Sequence, residues 1–259
     1  MASRGGGAPD AGGVSGLRCR VMGTAEHTID TSDGTMRLYE ATPDVDPEGA
    51  VIVIMEAFGV NDHIEDVTRR FAAAGFHAIA PDLFHRAGGG VAAYDDFGTV
   101  MEKFKSVSDD GILADVDATI AHLRSAGFTD EQIGIVGFCF GGRVTVLTAA
   151  RRKLGAAVTF YGGGIVSAGA LPFPSLFDEA KDLKTPWLGL FGDKDQGIPV
   201  EDVERLREEL DRTNPVQHEI IRYPDADHGF HCDGRPAVFN EAAASDAFSR
   251  AVAWFNEHL

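Results

Sequence analysis

Gly137-Phe138-Cys139-Phe140-Gly141 sets a thiol between two glycines. That is the spacing of a nucleophile raised on a sharp corner between a strand and a helix, where bulkier flanking residues would collide. The apolar run "IGIVGF" (133–138) precedes it, and Gly142 to Ala150 has helical character. A helix N-terminus beside the sulfur favours its thiolate, and the N–H of Phe140 points where an oxyanion would form. A thiol nucleophile needs a base, and the base needs an acid to orient it. Two loops beyond apolar runs supply these types: "GDKDQGIP" (192–199) offers Asp193 and Asp195, and "DADHGF" (225–230) offers His228. Local sequence leaves either acid open. Asp225 and Asp227 are expected to shape the histidine loop. Glu56 is unusual as a carboxylate closing the apolar run "AVIVIMEAF" (50–58), where a buried acid could exchange a proton with a nearby thiol. His228, His231, Cys232 and Asp233 are all metal-ligand types, but their spacing fits no zinc pattern, so no metal is expected. A redox role would need Cys232 as resolving partner of Cys139.

The elements that must position these groups follow from periodicity. Residues 25–41 read as a hairpin around Asp33-Gly34, and 50–58 as a strand. Asn61 and Asp62 are candidate N-caps of a helix that stops at Gly75. Strands follow at 76–84, 133–138, 155–163, 186–195 and 218–230, the last two running on into loops. Helices are expected after the irregular "GGG" at 88–90 through about Lys105, then at 110–126, 142–150, 200–213 and 239–258. The alternation predicts an α/β fold: a mostly parallel, doubly wound sheet of about eight strands, with an N-terminal antiparallel hairpin.

"MASRGGGAPDAGGVSG" reads as a disordered tail over 1–18, leaving a single domain over 19–259. The chain carries 40 Asp and Glu against 23 Lys and Arg, a formal charge of −17, which argues against nucleic acid or an anionic membrane as partner. No run approaches the roughly 18 apolar residues of a membrane span. Cys19, Cys139 and Cys232 imply no disulfide framework, which fits a reducing cytoplasm.

With these loops located, the sequence resembles the dienelactone hydrolase (carboxymethylenebutenolidase-like) family of the α/β-hydrolase fold. The segments that carry the resemblance are "MEAFGVNDHI" (55–64), "APDLFHR" (80–86), "GFCFGG" (137–142), "GDKDQGIP" (192–199) and "YPDADHGF" (223–230). It runs from about residue 25 to the end. The family pattern D-x-x-[VI]-P selects Asp195 over Asp193, and its H-[GS]-F places the base at His228. It implies that Glu56 contacts the thiol and tunes its ionisation, and that the N–H groups of Ala57 and Phe140 form the oxyanion hole. The implied activity is hydrolysis of a small lactone or carboxylic ester by Cys139, His228 and Asp195 through a thioester, without cofactor. The alternative is a non-catalytic, ligand-binding member of the fold. The chain departs from the family in its arginines. Cys232 stands four residues after His228, where the family carries Arg, and "YDDFGTV" (94–100) has none. Arg86 and Arg235 are nearby in sequence but match neither position. With no cation to pair an anionic lactone, and with the phenylalanines of "GFCF" and "TFYGG" expected to wall the pocket, an uncharged ester or lactone is the expected substrate. The sequence sets neither an oligomeric state nor whether 87–110 closes over the pocket.

Overall fold

A computed structural model describes residues 23–169 and 172–259. The expected tail over 1–18, and Cys19, lie outside the described residues. The chain begins with the hairpin β1 (Gly23–Thr31) and β2 (Gly34–Thr42), which turns at Gly34 with φ 130°. β3 (Ala50–Ile54), α1 (Asp62–Ala73) and β4 (His77–Pro81) form the first crossover unit. Then come α2 (Phe97–Phe104), α3 (Asp109–Ser125), β5 (Ile133–Phe138), α4 (Phe140–Arg151) and β6 (Ala156–Phe160). The series ends with α5 (Phe177–Ala180), β7 (Trp187–Gly192), α6 (Val200–Thr213), β8 (His218–Tyr223) and α7 (Glu241–His258).

All eight strands join one sheet in the order β1-β2-β4-β3-β5-β6-β7-β8. β2 runs antiparallel to β1 and to β4, and every other pairing is parallel. This is the α/β-hydrolase fold. Every residue of β3, β5, β6 and β7 is buried, which explains why those strands read as unbroken apolar runs rather than as alternation. Helix entries follow side-chain chemistry: Asn61, Ser108 and Asn240 accept from the backbone N–H groups of Ile64, Gly111 and Ala243. Of the two candidate caps of α1, Asn61 is the one used.

The winding reverses between β3 and β5, whose C-terminal ends lie side by side. An open α/β sheet leaves a crevice at such a point. β5 ends at Phe138 as its sequence suggests, but β3 stops short. β3 ends at Ile54, so Glu56 and Ala57 stand above the sheet edge, and α4 starts at Phe140 rather than Gly142. The early start depends on a close approach. A Cβ at Gly137 would overlap the Gly141 carbonyl, and one at Gly141 would overlap the Ile54 carbonyl. Gly137→Ala is therefore expected to cost about 3 kcal/mol or more, because backbone rather than a flexible side chain must move. A urea midpoint within error of the parent would contradict this packing.

Between β4 and α2 the chain makes a single short 3₁₀ turn, His85–Ala87, and is otherwise irregular. Gly88, Gly89 and Gly90 are all left-handed, with φ 83°, 68° and 78°. The segment is tied down where Gly90 N–H donates to Asp82 Oδ2 (3.1 Å), Lys103 Nζ to the Gly89 carbonyl (2.5 Å) and Ala92 N–H to the Phe58 carbonyl (2.9 Å).

Candidate active site

Cys139 links β5 to α4 at φ 55°, ψ −113°. Among the described residues only Cys139 and Tyr161 are non-glycines at positive φ. Such a conformation costs about 1–3 kcal/mol and persists only where the surroundings enforce it. Here the Cys139 N–H donates to the Phe160 carbonyl (3.1 Å), and its own carbonyl accepts from Gly142 N–H (3.0 Å). The corner leaves the Cys139 side chain only partly buried, at the positive end of α4. Phe140 opens that helix, so its N–H has no intrahelical acceptor.

Asp195 follows β7 and is 4% exposed. Its Oδ1 accepts from the N–H groups of Gly197 (2.8 Å) and Ile198 (3.1 Å), and its Oδ2 lies 2.7 Å from His228 Nδ1. Three donors thus hold one buried carboxylate. Asp193 is engaged elsewhere, clamped by the Arg222 guanidinium at 2.8 Å through both oxygens. Of the two acids left open by local sequence, Asp195 is the one at the imidazole. The other loop acids keep the structural roles expected of them. Asp227 Oδ1 accepts from His228 N–H at 2.6 Å, and the Asp225 carbonyl accepts from Asn240 Nδ2 at 3.1 Å.

Burial pushes the His228 imidazole down, but the charge at Cys139 and hydrogen bonds to Asp195 and Cys139 outweigh it and hold its pKa well above the ordinary value. Sulfur, imidazole and carboxylate all border one cleft of about 310 Å³. The rest of its wall comes from loops, including Gly164, Ala168 and Ile198. The expected wall of phenylalanines is not there. Phe138, Phe140 and Phe160 are fully buried and stack among themselves and with Phe84 and Phe173, in the core rather than on the cleft.

Glu56 is fully buried, and neither of its oxygens has a hydrogen-bond partner. Cys232 is also fully buried, 3.3 Å from the Tyr94 hydroxyl, which accepts from Asn61 Nδ2 at 3.2 Å. Burial and the nearby Glu56 push the Cys232 thiol up to about 11, so it is a poor attacking group at neutral pH. Arg86 is committed to Asp115 and Asp33. Arg235 lies over the Phe58 and Tyr94 rings, 5.7 Å from each centroid. Of the ligand-type residues after His228, Asp233 pairs with His63 and Arg70, while burial pushes His231 down to about 3. Sequence reasoning missed Tyr94 and Tyr161 at this site. The one available signal was a tyrosine directly before paired glycines at a strand end, in "TFYGG".

A model of the dienelactone hydrolase family matches residues 36–259. A protein of Escherichia coli K12 named "Putative carboxymethylenebutenolidase" is 39% identical over 236 residues, covering 89% of this chain and 86% of that protein. One of the same name from Methylorubrum extorquens is 37% identical over 236 residues, covering 90% and 80%. Among solved structures, a "Putative Dienelactone Hydrolase" from Klebsiella pneumoniae superposes with TM-score 0.82 at 37% identity, covering 92% of this chain and all of that one.

Proposed function

The chain belongs to the dienelactone hydrolase family, whose members hydrolyse lactone and ester bonds, and from that premise we propose that it cleaves a small, uncharged lactone or carboxylic ester with Cys139 as nucleophile. The observation that carries this is the 2.7 Å bond between His228 and Asp195 at the same cleft as the Cys139 sulfur. The Cys139 proton passes to His228 Nε2, while Asp195 holds the Nδ1 proton and fixes the tautomer. The thiolate adds to the carbonyl carbon, and the developing oxyanion is taken by the N–H groups of Phe140 and Ala57. A donor of this kind is worth roughly 3 kcal/mol in serine enzymes. The C–O bond then breaks, the alkoxide takes the proton from His228, and a thioester remains. Water gives a proton to His228 and attacks the thioester, and the acid leaves as the C–S bond breaks. The family resemblance gives Glu56 the part of tuning the thiol, and its full burial after β3 suits that part.

Substrate charge provides the test. Arg86 is tied up in ion pairs, and Cys232 contacts Tyr94 rather than the cleft. A substrate carboxylate entering without a cation forgoes roughly 1.5–3 kcal/mol of charge-assisted hydrogen bonding. Neutral lactones and esters are therefore expected to show kcat/KM about tenfold or more above carboxylate-bearing analogues of the same size. A reversed preference would sink the uncharged assignment and direct attention to Arg235. A folded protein inert across the whole panel would instead favour a ligand-binding role.

A further inference from the structure

We propose that Tyr161 is a positioning residue of this site, its hydroxyl donating to the Glu56 carboxylate when that group is ionised and so holding it beside the Cys139 thiol. The proposal rests on the assignment of Cys139 as nucleophile.

Tyr161 stands directly after β6, and its backbone is strained at φ 37°, with its N–H donating to the Leu190 carbonyl at 2.8 Å. A bulky side chain rarely occupies that region unless something is gained by its direction. The direction is fixed by packing. The ring lies 5.2 Å from that of His228 and 5.2 Å from that of Phe230, with Phe138 at 6.2 Å. The side chain is fully buried, yet its hydroxyl has no hydrogen-bond partner. Both Glu56 oxygens are in the same condition. Burial and, next, the Glu56 charge hold the phenol well above its ordinary pKa, so it remains a donor. The two groups are thus close enough to feel each other, although no bond of good geometry joins them in this structure.

The other candidate donors are committed. The Tyr94 hydroxyl sits between Asn61 and the Cys232 sulfur, and His228 gives its Nδ1 proton to Asp195. Among the described residues no Lys, Arg or His bonds to Glu56. A buried carboxylate left without a donor carries an unmet cost that a neighbouring hydroxyl can relieve. The Tyr161 hydroxyl can supply the donor once a small shift of either side chain brings the oxygens into line, its proton turning about the C–O bond to meet them.

The test is a mutant cycle of Tyr161→Phe and Glu56→Gln, run after Cys139→Ala has been assayed. Turnover surviving in Cys139→Ala would overturn the assignment of the nucleophile and the proposal with it. If that variant is dead, Tyr161→Phe is expected to lower kcat/KM for a neutral ester roughly tenfold with KM unchanged. In the Glu56→Gln background the same substitution should change nothing further. Its Tm should equal or exceed the parent's, because a buried orphan hydroxyl has been removed. An equal loss in both backgrounds, or a fall in Tm that tracks the loss of activity, would reduce Tyr161 to a packing residue and overturn the proposal.

Discussion

Cys139→Ala is expected to lower kcat/KM for a chromogenic ester by on the order of 10⁴-fold or more, the scale on which removal of a nucleophile acts in enzymes of this type. The fold should survive. The side chain is only partly buried, so truncating it opens little cavity, and the corner is held by backbone bonds to Phe160 and Gly142. Cys139→Ser should recover little. A hydroxyl is a far weaker acid than a thiol, so surroundings that serve a sulfur nucleophile serve an oxygen one poorly. Wild-type turnover in the alanine variant, with unchanged circular dichroism, would remove the thiol from the mechanism.

Asp195→Asn carries the second large effect, roughly 10³- to 10⁴-fold in kcat. The Gly197 and Ile198 N–H groups demand an oxygen at the Oδ1 position. An asparagine satisfies them only by turning its NH₂ toward His228 Nδ1, which must then accept. The ring proton is driven to Nε2, and the base can no longer take a proton from sulfur. The substitution also removes one cause of the raised imidazole pKa. Because that folded value lies above the unfolded one of about 6.5, protonated His228 contributes stability that is fully present below about 6.5 and lost as pH rises through the folded value. Part of that pH dependence should disappear in the variant. A loss of less than tenfold, measured alongside Tm from pH 5 to 8, would sink the role given to Asp195.

The features that sequence reveals best are those set by local sterics. Gly137 and Gly141 announce the corner because nothing larger fits between two backbones, and Asn61 announces α1 because its side chain can cap a helix. The choice between Asp193 and Asp195 is different in kind. It depends on Arg222, brought by β8 to clamp Asp193, and local sequence does not carry that contact. The family pattern supplied what local chemistry could not. The phenylalanines misled for a related reason: Phe138 and Phe140 flank the nucleophile in sequence and Phe160 ends the neighbouring strand, but periodicity does not say which of two apolar environments a buried ring enters. Tyr161 was hidden because its meaning lies in a positive φ and an unmet hydroxyl, neither of which composition encodes.

The reversal of winding between β3 and β5 has a consequence for how such a protein can diversify. Its reactive atoms hang from strand ends, while Gly163, Gly164, Ala168 and Gly169, in the connection between β6 and α5, wall the cleft. This part of the wall is therefore separable from the chemistry. Exchanging Gly163 to Gly169 for a relative's residues should change which molecules fit while leaving Cys139, His228, Asp195 and Tyr161 in place.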